Sequence, residues 1–155
     1  MTSTKEYQMI KKLLIISFFT MVTFFANAKE IDFYNATLYK SDINSKQAYE
    51  MQQKDALLID IRTKREFNEG RAKDSINIPI FYEKNGQRVF NKEFITQIYL
   101  EAKKDVKKQI ILICRSGSRT KLGSNLLAYN GFTNIFNVKQ GFQYDWAKTS
   151  LPIEK

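Results

Sequence analysis

The chain of 155 residues contains no histidine and a single cysteine, Cys114. The absence of histidine excludes Ser-His-Asp and Cys-His catalytic arrangements, because both need an imidazole as the base. Zinc sites built from histidine and cysteine are excluded as well, since such a site needs several of these ligands. The sequence also lacks the G-x-x-x-x-G-K-S/T phosphate loop and the G-x-G-x-x-G dinucleotide motif. Cys114 is therefore the strongest candidate for covalent chemistry.

The amino-terminal segment has the pattern of a secretory signal peptide. Lys11-Lys12 precedes an apolar run over residues 13–25, which ends at the small residues Ala26-Asn27-Ala28. The run is shorter than the roughly 20 apolar residues that span a bilayer. We therefore expect residues 1–28 to be a signal peptide cleaved after Ala28, a periplasmic location, and no stable membrane insertion after cleavage. An uncleaved anchor is the alternative.

The remaining residues, 29–155, are predicted to form one domain, because a chain of this length has room for one domain of ordinary size. With 43% hydrophobic and 26% charged residues, the chain has the balance of a folded soluble protein. The formal net charge at pH 7 is +9. A positive field of this kind attracts small anions and is not specific for nucleic acid. We expect no nucleic-acid partner, and we expect a monomer, since no pattern indicates a large exposed apolar interface.

Apolar runs alternate with amphipathic segments along the chain. The predicted strands are residues 37–39, 57–60, 76–78, 109–114 and 135–138. The predicted helices are residues 43–52, 64–68, 92–102, 119–129 and 142–148, and Asn91 is the predicted cap of the third. Strands that alternate with helices indicate an α/β domain with a mostly parallel sheet. The continuous apolar run before Cys114 is typical of a central strand that is buried on both faces.

Cys114 stands where this central strand gives way to a polar loop and then to a helix that starts near Arg119. In open parallel sheets, ligands bind at this edge. A helix amino terminus carries partial positive charge and unpaired N–H groups, both of which favour a thiolate. Arg115 and Arg119 add positive charge, and Gly117 allows successive N–H groups to form an anion-binding nest. The alternative is an inert cysteine buried at a strand end.

Three blocks in this order resemble the rhodanese domain family. Cys114-Arg115-Ser116-Gly117-Ser118-Arg119-Thr120 is similar to the active-site loop of that family. The upstream block runs from Asp60-Ile61-Arg62 through Glu66-Phe67 and Gly70 to Ile76-Asn77-Ile78-Pro79. The closing block runs from Gly131-Phe132 through Ile135-Phe136-Asn137-Val138 to Gly141-Phe142 and Trp146. Together the blocks cover residues 57–146.

The resemblance implies a three-layer sandwich with a central, mostly parallel sheet of about five strands and helices on both faces. It implies a sulfurtransferase in which Cys114 takes a sulfane sulfur from thiosulfate or another persulfide donor and passes it to cyanide or a thiol. No metal or organic cofactor is implied. The implied substrate-binding residues are Arg115, Ser116, Gly117, Ser118, Arg119 and Thr120, and Asp60, Arg62 and Glu66 are expected to support the loop through ion pairs.

Other functions of the same fold are weighed against this one. A phosphatase or arsenate reductase of the Cdc25-like branch would have five residues between the cysteine and the arginine. Here four residues separate Cys114 from Arg119, and the smaller loop fits a sulfur atom better than a phosphate. A non-catalytic binding module and a periplasmic thiol sensor, whose cysteine would be oxidised reversibly, are the remaining alternatives.

Overall fold

The structure, a computed structural model, describes residues 30–155, so the predicted signal peptide lies outside the described residues. Nine strands occur in this part of the chain: β1 Ser41–Ile43, β2 Leu57–Asp60, β3 Arg71–Ala72, β4 Ile76–Asn77, β5 Phe81–Lys84, β6 Gln87–Phe90, β7 Ile110–Ile113, β8 Ile135–Val138 and β9 Ile153–Glu154. Five of them form a parallel sheet in the order β1-β8-β7-β2-β4. All four residues of the central strand β7 are buried, as its apolar run predicts.

Helices cover this sheet on two sides. Their bounds are α1 Ser45–Gln52, α2 Lys64–Glu69, α3 Phe94–Glu101, α4 Ser118–Tyr129 and α5 Gly141–Tyr144, and a 3₁₀ turn follows at Trp146–Lys148. Residues on neighbouring positions of β7 point to opposite faces of the sheet. Leu112 packs in a core with α3 and α4, and Ile111 and Ile113 pack in a second core with Ala48 of α1 and Trp146. The predicted three-layer α/β fold is confirmed.

The strand register aligns the chain segments that carry the predicted site. Asp60, the last residue of β2, lies opposite Ile113, the last residue of β7. Because the two strands are parallel, the residues that follow them leave the sheet at the same edge. Arg62 and Cys114 therefore emerge side by side, although 52 positions separate them in the sequence.

Two capping boxes begin helices near this edge. Asn44 accepts a hydrogen bond from the Gln47 N–H at 2.9 Å and starts α1. Thr63 accepts one from the Glu66 N–H at 3.3 Å and starts α2, while Glu66 accepts one from the Thr63 N–H at 3.1 Å. Such reciprocal bonds satisfy N–H groups that a helix start otherwise leaves without partners.

The strand predicted at residues 37–39 is wrong. The first strand is β1, which starts at Ser41 and pairs with β8. The Leu38 N–H instead donates to the Asn125 side chain of α4 at 2.7 Å. A long-range side-chain contact thus takes the hydrogen bond that a strand would have made.

Three predicted helices are shorter than expected, and the first of them, predicted over 43–52, starts at Ser45. The helix predicted over 142–148 is interrupted at Asp145, whose carboxylate accepts a hydrogen bond from the Ser45 N–H of α1 at 2.7 Å. Asn91 does not cap α3, which starts at Phe94. The buried Asn91 side chain donates to the Pro79 carbonyl at 2.8 Å and accepts from the Glu93 N–H at 3.1 Å, so it shapes the turn before the helix.

Two strand pairs lie outside the predicted elements. β5 and β6 form an antiparallel hairpin whose turn, Asn85-Gly86, has positive φ at both residues (51° and 74°). This dipeptide is the usual sequence of a two-residue hairpin turn, so the sequence carries a local signal for the hairpin. β3 pairs with β9 near the carboxyl terminus. Within residues 30–155, no helix is long and apolar enough to cross a membrane.

Candidate active site

The Cys114 sulfur lies directly after β7 and is fully buried. The Gly117 N–H donates a hydrogen bond to Sγ at 3.2 Å, and the Thr120 hydroxyl lies 3.6 Å from Sγ. Both contacts come from the next six residues of the chain, so the loop folds back over the sulfur. The polar groups in contact with the sulfur are thus a backbone N–H and one hydroxyl.

Gly117 is needed at its position for two reasons. Its φ of 91° is in the left-handed region that favours glycine. A Cβ atom there would come within 1.8 Å of the Lys139 carbonyl oxygen. Gly117 is also the residue that precedes α4, and Ser118, Arg119 and Thr120 form its first turn. Because the N–H groups of a first turn have no acceptor within their own helix, they are available to a ligand.

The proton of Thr120 limits what its hydroxyl can do. The hydroxyl donates to the Gly117 carbonyl oxygen at 2.8 Å, and a hydroxyl has only one proton to donate. In this arrangement the Thr120 oxygen can accept a hydrogen bond from the Cys114 thiol and cannot donate to the sulfur. With a thiolate at Cys114, the hydroxyl could donate to Sγ only by rotating away from the Gly117 carbonyl oxygen.

A second loop holds the backbone of the cysteine loop. The Phe142 N–H donates to the Cys114 carbonyl oxygen at 2.7 Å, and the Gln143 N–H donates to that of Arg115 at 3.0 Å. Gly141 has a φ of 66°, and a Cβ atom there would lie 2.5 Å from the Cys114 carbonyl oxygen. In the sequence, the Gly141-Phe142 pair is notable only as part of the family resemblance. Its contact with the cysteine loop depends on tertiary packing.

Arg119 is paired with Glu66 of α2. Its two terminal nitrogens lie 2.7 Å from the two carboxylate oxygens of Glu66. Burial alone would raise the pKa of Glu66, but the hydrogen bonds from Arg119 and from Thr63 outweigh it and lower the pKa to about 2. Burial lowers the pKa of Arg119, but the Glu66 carboxylate outweighs burial and raises it. This pair ties α2 to α4, so Arg119 is not a free docking group in this structure.

Asp60 and Arg62 form a second pair, and both residues are buried. The Arg62 Nη2 atom lies 2.6 Å from the Asp60 carboxylate and 2.7 Å from the Gly70 carbonyl oxygen. Burial raises the pKa of Asp60, and the Arg62 hydrogen bonds act in the opposite direction. The Arg62 guanidinium also lies over the Phe142 ring, 4.4 Å from its centroid. Asp60 and Arg62 are therefore connected to the cysteine loop through Phe142, and Glu66 is connected to it through Arg119.

Three predicted binding residues, Arg115, Ser116 and Ser118, have exposed side chains. The Arg115 Nε atom donates to the Gln143 side chain. Beside the loop lies an open pocket of about 450 Å³. Its lining residues are Arg62, Arg65, Glu66, Glu69, Gly70, Arg88, Arg115, Phe142 and Gln143. Arg65 and Arg88 were not predicted, and Arg88 reaches the pocket from the unpredicted hairpin.

The donor set of the described residues does not indicate a metal centre. No cluster of three or more histidine, cysteine, aspartate or glutamate side chains occurs within residues 30–155. What the arrangement offers instead is a buried sulfur held by an N–H group, a helix start next to it, and a pocket rich in arginine. These features suit a nucleophilic sulfur that reacts with anions.

Comparison with known proteins agrees with this geometry. The family model of the rhodanese-like domain matches residues 44–148. "Senescence-associated protein DIN1" of Raphanus sativus is 32% identical over 97 residues, which are 63% of this chain and 51% of that protein. "Thiosulfate sulfurtransferase 16, chloroplastic" of Arabidopsis thaliana is 30% identical over 96 residues, 62% of this chain and 78% of that protein.

A solved structure shows the same fold. The crystal structure of Rv0390 from M. tuberculosis superposes with a TM-score of 0.60 at 24% identity and covers 75% of this chain and 98% of its own. The chain spans about half the length of the first of the two relatives in sequence. The similarity therefore concerns the domain and its fold.

Proposed function

Because the chain belongs to the rhodanese-like domain family, we propose that it is a sulfurtransferase in which Cys114 carries a sulfane sulfur as a persulfide. Membership in this family confirms the resemblance found in the sequence. Relatives at low identity are named as thiosulfate sulfurtransferases. The observation that carries the proposal is the Gly117 N–H, which donates to the Cys114 sulfur at 3.2 Å inside a loop that opens a helix.

The first proposed step loads the sulfur. The Cys114 thiolate attacks the sulfane sulfur of thiosulfate, a new S–S bond forms, and the S–S bond of thiosulfate breaks with its electron pair leaving on sulfite. Arg115, exposed at the rim of the pocket, attracts the doubly charged donor. The N–H groups from Arg115 through Thr120 hold the outer sulfur of the persulfide. Because Cys114 is buried, the donor can reach its sulfur only if the part of the cysteine loop that faces the pocket moves.

The second proposed step unloads the sulfur. Cyanide or a thiolate attacks the outer sulfur, and Cys114 leaves as a thiolate. The Thr120 hydroxyl serves both states, since it accepts from the thiol and can rotate to donate to the thiolate. Arg119 keeps its place in the loop through Glu66 and acts as a positioning residue in this scheme.

Intact mass measurement tests the proposal directly. Wild-type protein incubated with thiosulfate is expected to gain one sulfur atom, which a reductant removes and which cyanide releases as thiocyanate. Cys114→Ser should gain none under the same conditions. Absence of the gain in a wild-type protein whose thiol is shown by alkylation to be free and reactive would rule out thiosulfate as donor. A binding module or a thiol sensor would then be the better explanation.

The exported location is part of the proposal and rests on the amino-terminal pattern alone. The pattern places cleavage after Ala28. The mass of the protein recovered from the periplasm of an expressing cell is expected to correspond to a chain that starts at Lys29. A full-length mass in the membrane fraction would support an uncleaved anchor.

A further inference from the structure

The pocket beside the cysteine loop is lined by four arginines and two glutamates. Most of these charges are already neutralised by a neighbour. Arg62 is paired with Asp60, and Glu66 is paired with Arg119. Any anion that enters the pocket must therefore be held by the remaining cations.

Arg65 is also satisfied within the protein. Its Nη2 and Nε atoms lie 2.9 and 3.2 Å from the two carboxylate oxygens of Glu83, and its Nη1 atom lies 3.3 Å from Glu69. Through these contacts Arg65 lowers the pKa of Glu83. The Glu83 carboxylate thus binds Arg65 of α2, although Glu83 lies directly across the hairpin from Arg88.

Arg88 and Arg115 are the two cations of the pocket that remain. Within residues 30–155 neither forms an ion pair. Arg115 makes a hydrogen bond to the neutral side chain of Gln143. Arg88 lies on β6, and Arg115 follows the cysteine directly. Guanidinium groups without an ion-pair partner can bind a carboxylate or a similar anion.

The size of the pocket argues for a ligand larger than the sulfur donor. Its volume of about 450 Å³ lies in the range of sites for organic small molecules. Thiosulfate is a single tetrahedral group and cyanide is diatomic, so either would fill only the part of the pocket next to the loop. Phe142 adds an apolar side chain to the lining of the pocket.

We propose that this pocket binds the sulfur acceptor, that the acceptor is an organic thiol bearing a carboxylate, and that Arg88 selects it by binding that carboxylate. The inference rests on the proposed function and names the substrate class of its second step. The acceptor thiolate attacks the outer sulfur of the Cys114 persulfide. One S–S bond breaks and another forms, Cys114 leaves as a thiolate, and the acceptor leaves as a persulfide with no net oxidation.

A pair of small thiols tests the role of Arg88. With thiosulfate saturating, kcat/KM is measured for mercaptopropionate, which carries a carboxylate, and for mercaptoethanol, which carries a hydroxyl. The ratio of the two values is expected to fall about fivefold in Arg88→Gln, the size of one partly exposed ionic hydrogen bond. Added salt should lower the wild-type ratio in the same direction, because it screens exposed charges.

Lys84→Gln is the matched control. Lys84 lies on the other strand of the same hairpin, is exposed, and does not line the pocket. Its removal changes the net charge by the same amount, and the ratio should stay at the wild-type value. An unchanged ratio in Arg88→Gln, or an equal fall in Lys84→Gln, would overturn the inference.

A binding measurement separates this inference from the proposed function. Propionate, which has the carboxylate and no thiol, is titrated into Cys114→Ser and followed by NMR. Shifts in the pocket that are lost in Cys114→Ser/Arg88→Gln would support the carboxylate site even if thiosulfate never loaded the wild type. A protein that loads sulfur normally but shows no Arg88-dependent binding or selection would retain the proposed function and lose this inference.

Discussion

At the scale of single residues, the Cys114 sulfur has backbone and hydroxyl neighbours, and the chain contains no histidine. The Cys114 sulfur receives one backbone hydrogen bond from Gly117 and lies 3.6 Å from the Thr120 hydroxyl. Arg119 lies in the first turn of α4, and its charge is neutralised by Glu66. A buried cation that loses its partner is costly, and the carboxylate of Glu66 is therefore important for stability as well as for the position of the loop.

The Glu66–Arg119 pair predicts a pH dependence of stability. The pKa of Glu66 is lowered from 4.5 to about 2 in the folded protein, so its contribution is present above pH 4.5 and is lost as the pH falls through about 2. Glu66→Gln is expected to be less stable than wild type by roughly 2–3 kcal/mol near neutral pH. The difference should shrink between these pH values, and urea unfolding at a series of pH values measures it.

Glu69→Gln is the control for this prediction. Glu69 lies on the same helix, but its side chain is 64% exposed and its contact with Arg65 spans 3.3 Å. An exposed pair of this kind contributes about 0.5 kcal/mol or less, so the substitution should change little at any pH. A Glu66→Gln deficit that stays constant down to pH about 2 would contradict the assigned pair.

At the scale of elements, two loops determine where the cysteine lies. The loop after β7 carries the sulfur, and the segment after β8 holds its backbone through the N–H groups of Phe142 and Gln143. The approach is close enough to require glycine on both sides, at Gly117 and at Gly141. The position of the sulfur therefore depends on a segment that follows a different strand from the one that carries the cysteine.

Alanine substitutions at two glycines test this dependence. Gly141 and Gly131 both have positive φ (66° and 91°), but a Cβ atom meets the Cys114 carbonyl oxygen at 2.5 Å only at Gly141. Each substitution should cost about 1 kcal/mol for the left-handed backbone. Gly141→Ala should also slow persulfide formation by about tenfold or more, because small displacements of reacting groups are costly.

Gly131→Ala isolates the effect of the backbone conformation, since no atom lies within 4 Å of its added Cβ. Rates of sulfur loading are followed by mass measurement after short incubations with thiosulfate, and stability is measured by urea unfolding. Equal loading rates in the two variants would show that the contact between Gly141 and the cysteine loop has no effect on the reaction.

At the scale of the whole molecule, the carboxyl-terminal residues close the second core. β9 pairs with β3, and the fully buried Trp146 donates from its indole nitrogen to the Pro152 carbonyl oxygen at 3.1 Å. Leu151 packs against the same core. The last residues of the chain thus contribute to the face of the sheet opposite α3 and α4.

Deletion of residues 151–155 is expected to lower the free energy of unfolding by about 2–4 kcal/mol, because it uncovers apolar surface and removes a hydrogen bond to a buried group. Trp146 is the single tryptophan of the chain, so its fluorescence should shift to longer wavelength. Deletion of Lys155 alone is the control and should leave both values unchanged. If the longer deletion kept the emission and the stability of the wild type, residues 151–155 would not contribute to the second core.

The sequence alone determined those features that depend on neighbouring residues. β2 and β8 have the bounds that their apolar runs predict, 57–60 and 135–138. A short, mostly apolar run of about four residues is enough to predict a short buried strand. The loop from Cys114 to Thr120 is equally local, and together with the two other blocks it indicates the family, which the family model confirms. That Cys114 is reactive stays a prediction. The Asn85-Gly86 turn carried a local signal too, and the hairpin could have been predicted from it.

Tertiary structure decided what depends on residues far apart in the chain. Glu66 and Arg119 are 53 positions apart, and only the parallel register of β2 beside β7 brings their helices together. The same holds for Gly141 against Cys114 and for Arg88 in the pocket. Patterns of hydrophobicity show which face of an element is buried, but they carry no information on which other element covers it. The pairing of Arg119 with Glu66 is therefore visible only in the fold, and the proposed positioning role of Arg119 rests on it.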